Sequence, residues 1–287
     1  MFLPLFNRSR QSLAIDLGNN NTLVADKTAI LLSQPSWIAF NTSNKSIKAV
    51  GEDAYRIDGK QPSGVKAVKP LRDGVIADHN SARLMIQEIV RHALPKQKKW
   101  FGFDTVISGV PLHTTNVERH AFMDALEQFP TGKRHLLPEP VAAAIGMGLD
   151  IHSPNGKLVM DIGGGITEIV VISLCGIATY RSVKIAGDTM DEAIQEYVRR
   201  KYDLLIGQKT AERLKIEAGA ACHDPDHCPE PVTAEGRDLL RGIPGSVTIS
   251  HFEISDILDP ILSEMEREEV AKRGKPPKAD KKLKGAK

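Results

Sequence analysis

Apolar and polar positions alternate in two stretches that copy one another. Leu13-Ala-Ile-Asp16-Leu-Gly18-Asn-Asn-Asn-Thr22-Leu-Val reappears 145 residues later as Leu158-Val-Met-Asp161-Ile-Gly163-Gly-Gly-Ile-Thr167-Glu-Ile-Val. In each, an apolar strand runs into Asp-x-Gly, a short polar or glycine turn, a threonine and a second apolar strand, which predicts a β-hairpin with a tight turn. The separation is about one domain length. Helical patterns fill the space between and after the copies. Thr115-Asn-Val-Glu118 has the form of a capping box, and Val117, Ala121, Phe122, Leu126 and Phe129 predict an amphipathic helix behind it. Glu139-Pro-Val-Ala-Ala-Ala-Ile-Gly146 predicts the start of a closely packed helix with Pro140 in its first turn. Residues 191–202 and 210–221 predict two more, the second capped by Thr210. The expectation is an α/β protein of two similar domains, each a mixed β-sheet with flanking helices.

The repeated turns also carry chemistry. Gly18 and Gly163, Gly164 and Gly165 allow backbone N–H groups to approach an anion closely and form a nest for phosphate oxygens. Asp16 and Asp161 stand at strand ends, where two carboxylates from facing domains could hold hydrated Mg²⁺ against a phosphate.

Composition narrows the class. Of 287 residues, 41% are apolar and 26% charged, as in a folded globular protein and unlike a disordered or fibrous one. No apolar run approaches the roughly 20 residues of a spanning helix, and the apolar start, residues 1–6, is too short for a signal-peptide core, so export is not expected. The net charge of +2 is an average of unlike parts. Residues 272–287 hold eight lysines and arginines against one aspartate, so the other 271 residues carry a net −5 and no specific nucleic-acid partner is expected. Three cysteines do not make a disulfide framework and suit a reducing cytoplasm. Cys222, His223, His227 and Cys228 have ligand types that suit zinc, but adjacent Cys-His pairs do not match the usual finger spacings.

Together the strings resemble the actin-type ATPase superfamily and, more narrowly, its MreB family of bacterial actins. The resemblance is carried by Ile15-Asp-Leu-Gly18, Lys69-Pro-Leu-Arg-Asp-Gly-Val-Ile-Ala-Asp78, Val117-Glu-Arg119, Glu139-Pro-Val-Ala-Ala-Ala-Ile-Gly146 and Met160-Asp-Ile-Gly-Gly-Gly165. It continues through Ile185-Ala-Gly-Asp-Thr-Met-Asp-Glu-Ala-Ile194 and Thr210-Ala-Glu-Arg-Leu-Lys-Ile-Glu217, covering about residues 12–264. It implies an actin-like fold with domain I at 11–150 (insert about 38–70), domain II at 151–268 (insert about 194–250) and a nucleotide cleft between them. Residues 1–10 form a membrane-proximal segment and 269–287 a basic tail in this scheme.

By the same resemblance, ATP and Mg²⁺ are the cofactors. Asp16 and Asp161 take the metal through water, and Glu139 orients the attacking water. Gly18, Asn19, Asn21, Thr22, Gly163, Gly164, Gly165, Thr167, Gly187 and Asp188 line the nucleotide. Glu212 and Lys215 reach the adenosine. Two departures stand out. Asn19 replaces a threonine of the first loop. Ile166 replaces the threonine that positions the hydrolytic water, which implies slow hydrolysis at most. The family pattern also continues beyond the point, after Glu264, where this sequence leaves it, so domain II is expected to be incomplete. Phe2 and Leu3, and Trp100 and Phe101 beside Lys96, Lys98 and Lys99, suit insertion at an anionic membrane surface.

The implied function is a filament, assembled from copies of the chain at the inner face of the membrane, that scaffolds the cell-wall elongation machinery. A non-polymerising remnant and a chaperone-type ATPase stand as alternatives.

Overall fold

The computed structural model describes residues 12–94, 102–220 and 229–270. They form two compact units. The first takes the described residues up to Met147 together with Gly163–Gly165, and the second takes Gly148–Ile162 and the described residues from Ile166 onward.

The first unit opens with the meander β1 (Ser12–Leu17), β2 (Asn21–Ala25) and β3 (Ile30–Pro35). A small insert follows: β4 (Ile38–Asn41), β5 (Ile47–Val50), α1 (Glu52–Ile57) and β6 (Val65–Val68), its three strands paired in the order β5-β4-β6 around Ala39, Ala54 and Ala67. The short hairpin β7 (Leu71–Arg72) and β8 (Val75–Ile76) leads into α2 (His79–Ala93). Then come β9 (Phe103–Val110), α3 (Asn116–Leu126), β10 (Thr131–Pro138) and α4 (Glu139–Gly146). The main sheet has the order β10-β9-β1-β2-β3, with β10, β9 and β1 parallel and the meander antiparallel. Parallel neighbours need a crossover, which α3 supplies between β9 and β10.

The local causes are plain. Asp78 caps α2, accepting from Ser81 N at 3.1 Å and Ser81 Oγ at 2.6 Å. Ala82, Met85, Ile86, Ile89 and Val90 then recur at helical spacing and are buried. The capping box of α3 is present: Glu118 N donates to Thr115 Oγ1 at 3.3 Å, and Thr115 N donates to Glu118 Oε2 at 2.7 Å. Phe122, Ala125 and Leu126 enter the core with Leu13, Ile15 and Leu17. Val117 does not; it is 80% exposed, because the second helical residue of α3 faces away from the sheet.

The second unit repeats the meander as β11 (Lys157–Ile162), β12 (Thr167–Ser173) and β13 (Gly176–Val183). The repeat holds to the residue. Ile15, Asp16 and Leu17 face Val24, Leu23 and Thr22 in the first unit, and Met160, Asp161 and Ile162 face Ile169, Glu168 and Thr167 in the second. After the meander come α5 (Gly187–Tyr202), β14 (Leu204–Leu205), α6 (Gln208–Ala218), β15 (Val232–Asp238), β16 (Pro244–Ile249) and α7 (His251–Val270). Strands β14, β15 and β16 form an antiparallel sheet. The core between these elements gathers Ile194 and Val198 from α5, Ala211 and Leu214 from α6, and Ile254 and Leu258 from α7. α6 begins at Gln208 behind Gly207, so Thr210 lies within its first turn and does not cap it.

Glu253 on α7 clamps α5. Its Oε1 accepts from Lys201 Nζ at 2.8 Å, Tyr197 OH at 3.0 Å and Tyr202 OH, and its Oε2 accepts from Ser250 N at 2.9 Å. Burial pushes this carboxyl up, but the Lys201 ammonium and the Ser250 and Tyr202 donors outweigh it and hold the group well below the usual carboxylate range. Among the described residues no helix is long and apolar enough to cross a membrane.

Candidate functional site

The turn between β1 and β2 is tied shut from below. Gly18 N donates to Asn21 O at 3.1 Å, and a methyl group on Gly18 would fall 2.7 Å from that same oxygen, so a side chain there would break the turn. Ser36 closes the base: its Oγ donates to Gly18 O at 2.6 Å and its N to Asn20 O at 2.8 Å. Thr22, fully buried, shares a hydrogen bond with Ser36 Oγ at 2.8 Å. Asn19 is buried too, and its Oδ1 accepts from Gly74 N at 3.2 Å. Gly74 and Asp73 both have positive φ at the tip of the β7–β8 hairpin. Asn21 is the exposed first residue of β2. Of the expected nucleotide contacts, Thr22 and Asn19 therefore also build the loop.

The second glycine run, Gly163–Gly165, belongs to the first unit and packs on this loop. A methyl on Gly164 would lie 2.5 Å from Asn20 Nδ2; one on Gly165 would lie 2.3 Å from Asn19 Nδ2 and 3.0 Å from Asp73 Cα. The asparagine amides fill the space that the glycines leave, a physical use for Asn19 at the place where the sequence departs from the family pattern.

The parallel strands bring two acids together. β1, β9 and β10 end on the same side, which places Asp16 beside Gly109 and lets Glu139, the first residue of α4, fold back over that glycine. A methyl on Gly109 would sit 3.0 Å from Glu139 Cγ, 3.4 Å from Asp16 Oδ1 and 3.5 Å from Glu139 Oε1. Gly109 was not among the expected site residues, though a lone glycine inside a strand pattern is the signal for such close approach.

In the second unit Asp161 is half-buried, and burial pushes its carboxyl up. It faces Glu168 across the β11–β12 pair, and Glu168 Oε1 accepts from Ser182 Oγ at 3.0 Å. Thr167 Oγ1 donates to Ile185 O at 2.7 Å, fastening β12 to the segment that leads into α5. Gly187 and Asp188 open that helix. Gln208 Nε2 donates to Asp188 Oδ1 at 3.3 Å, and Lys215 Nζ donates to Gly187 O at 3.0 Å while standing 2.7 Å from Asp191 Oδ1. Asp191 is almost wholly buried. Burial pushes its carboxyl up to about 6 against the pull of Lys215, with Glu212 and Asp188 adding to the rise. Lys215 thus ties α6 to the start of α5, and Glu212 stands one turn before it. Sequence reasoning missed Asp191, although its place in the buried stripe with Ile194 and Val198 signals an acid that needs a cation. Phe2, Leu3, Trp100, Phe101, Cys222, His223, His227 and Cys228 lie outside the described residues.

Comparison with known proteins gives a consistent result. The family model described as MreB/Mbl protein matches residues 10–276. The cell shape-determining protein MreB of Escherichia coli (strain K12) is 40% identical over 256 residues, covering 88% of this chain and 73% of that protein. The cell shape-determining protein Mbl of Bacillus subtilis (strain 168) is 37% identical over 249 residues, covering 86% and 74%. Among solved structures, MreB5 of Spiroplasma citri bound to AMPPNP superposes with a TM-score of 0.85 at 31% identity, covering 94% of this chain and 80% of that one. A MamK double helical filament, at 18% identity and a TM-score of 0.71 over 91% of this chain and 79% of that one, shares the fold.

Proposed function

The chain belongs to the MreB/Mbl family, and from that premise we propose that it is an ATP-binding bacterial actin homologue that assembles into membrane-associated filaments, scaffolds cell-wall synthesis and maintains cell shape. The observation that carries the nucleotide reading is the first unit's cluster: two glycine turns packed on each other through Asn19 and Asn20, with Asp16 and Glu139 converging on Gly109. The relative of known structure at 31% identity was solved with AMPPNP and with ADP, which supports a nucleotide at the corresponding place.

In this reading the backbone N–H groups of the turns at Gly18 and at 163–165 cradle the phosphates. Ser36, Thr22 and Gly74 hold the first turn rigid, so little order is lost on binding. Glu139 accepts a hydrogen bond from the attacking water and holds it in line, and Gly109 gives that carboxylate the room to do so. Ile166, buried and without a donor or acceptor, leaves that water one partner short. Lys215 and Gln208 hold the Gly187–Asp188 turn against the nucleotide, and Glu212 with Lys215 forms the adenosine side.

Mg²⁺ fits the residues present. Asp16 offers a carboxylate oxygen beside Glu139, and Asp161 is an anion that burial disfavours, so both gain from a hard cation held through water. When bound, Mg²⁺ supplies neutralising charge for the phosphates. Copies of the chain are the filament partner. Trp100, Phe101, Phe2 and Leu3 are the proposed contacts with lipid at the inner face of the membrane.

The test is the thermal midpoint of the purified chain with and without Mg-ATP, beside Asp161→Ala. A ligand at 100 times its Kd adds about 2.7 kcal/mol to the folded state, which is readily seen. A shift that the variant loses supports the reading. No shift in the unmodified chain overturns it and leaves a non-binding remnant. Liposome flotation of Trp100→Ala/Phe101→Ala checks the membrane contact, which fails if flotation is unchanged.

A further inference from the structure

The start of α5 carries an acid where an apolar side chain would pack at less cost. Asp191 lies in one buried stripe with Ile194 and Val198 and is 0% exposed, and that stripe shares its core with Ala211 and Leu214 of α6. Taking a carboxylate out of water is expensive, and a buried ion pair seldom outdoes two well-packed apolar side chains of the same volume. Stability alone therefore does not account for an aspartate here.

Its partner is Lys215. The Nζ stands 2.7 Å from Asp191 Oδ1 and donates to Gly187 O at 3.0 Å, and the lysine side chain is 18% exposed. An ammonium has three N–H donors. With two of them committed to Asp191 and Gly187, the direction of the third is set, and it is the one left for a ligand. Without the carboxylate the flexible stem would let this strongly hydrated group turn toward water. Gly187 and Asp188 are the residues proposed to face the nucleotide, and Asp188 is held in turn by Gln208.

We propose that Asp191 is a positioning residue for the nucleotide: its carboxylate holds the Lys215 ammonium across the start of α5, so that the third N–H is fixed for a ribose hydroxyl of the adenosine. This role rests on the nucleotide-binding reading, and Asp191 itself touches no ligand. The arrangement makes affinity depend on pH. Lys215 and Glu212 from α6 and Asp188 from α5 are the charged groups that act on Asp191, while α7 brings Ile254 and Leu258 to the same core. Burial pushes the carboxyl up to about 6. Protonation discharges it, and a neutral acid grips the ammonium less firmly. Binding favours the ionised form, so affinity should fall as the pH drops through that value.

The test is calorimetric titration of the full chain with Mg-ADP at pH 7.5 and pH 5.5. Asp191→Asn keeps the shape and an acceptor oxygen but removes the charge, so it stands in for the protonated acid at every pH. It should bind about tenfold more weakly at pH 7.5, and the gap should narrow to about threefold at pH 5.5, where the unmodified chain has itself lost most of the ionised form. Both proteins are compared at the same pH, so titration of the nucleotide cancels. Ile194→Val loosens the same helix face without touching Lys215, and should leave the affinity and its pH dependence unchanged. If Asp191→Asn does not fold, the unmodified chain still answers: corrected for the nucleotide's own titration, its Kd should rise about threefold from pH 7.5 to pH 5.5. The proposal is overturned by an Asn variant that binds as tightly as the unmodified chain, by one that is weaker by the same factor at both pH values, or by a corrected Kd that stays flat. Absence of any binding by the unmodified chain would instead remove the nucleotide reading, and this role with it.

Discussion

Replacing Lys215 by methionine keeps the apolar stem that packs between α5 and α6 and removes only the ammonium. Two losses follow. Asp191 keeps its burial but loses its cation, and Gly187 O loses a charged donor at 3.0 Å. The first loss has a ceiling. Burial has raised the Asp191 carboxyl from 3.8 to about 6, which at about 1.36 kcal/mol per pKa unit means about 3 kcal/mol already spent in keeping it charged at pH 7. Without Lys215 the carboxyl takes up a proton instead of bearing more, and at pH 7 that route costs about 4 kcal/mol in total, so the increment is about 1 kcal/mol. The Gly187 hydrogen bond adds about 1.5–3 kcal/mol. The expected destabilisation is about 3–4 kcal/mol at pH 7, or a fall in thermal midpoint of roughly 6–16 °C.

The pH dependence is the sharper check. An acid whose pKa is raised in the fold binds its proton more readily folded than unfolded, so its burial penalty shrinks as pH falls through the folded pKa toward the unfolded one. At pH 5 Asp191 is protonated with or without Lys215, and the electrostatic increment vanishes. Lys215, Glu212 and Asp188 are the charged groups that act on it, and the first is the one removed. Urea unfolding of both proteins at pH 7 and pH 5 should therefore show the gap narrowing by about 1 kcal/mol at the lower pH. An equal loss at both pH values would refute the account of a charged, buried Asp191.

Three further outcomes are expected. Gly109→Ala puts a methyl 3.0 Å from Glu139 Cγ, and should lower ATP hydrolysis at least tenfold with a stability loss of about 1–3 kcal/mol, checked by phosphate release and thermal melting. Ile166→Thr restores a hydroxyl near the proposed water and should raise phosphate release at least tenfold; matching time courses would remove Ile166 as the cause of slow hydrolysis. Glu253→Gln should lower the thermal midpoint by an amount that is constant above the unfolded carboxyl pKa of about 4.3. Because the folded value is depressed, that advantage should fade as the pH drops below it, and a difference that grows in acid would contradict the clamp.

What the sequence disclosed is what local pattern controls. The repeated Asp-x-Gly hairpins, the capping box at Thr115 and the Pro140 helix start follow from turn chemistry and period, and each appears in the structure. Facing is harder to read. Val117 fits the apolar pattern of α3 but points outward. Thr210 is a good cap residue, yet the chain is already helical two residues earlier. The spacing of Glu212 and Lys215 says that they share a helix face, but not that α5 offers Lys215 a buried carboxylate. Gly109, Asn20 and Ser36 escaped because their roles depend on neighbours brought close by strand pairing, not by sequence.

The hydrogen bond from Gly74 N to Asn19 Oδ1 reaches further than the loop it steadies. Gly74 sits on a hairpin whose preceding residue, Pro70, accepts from both Ala77 N and Asp78 N, and Asp78 is the cap of α2. Three short links thus join the β1–β2 turn to the first turn of a 15-residue helix in the core. The Gly74 and Ser81 amides are natural reporters: their exchange rates should register whatever tightens or loosens the turn, without any label being placed in the site.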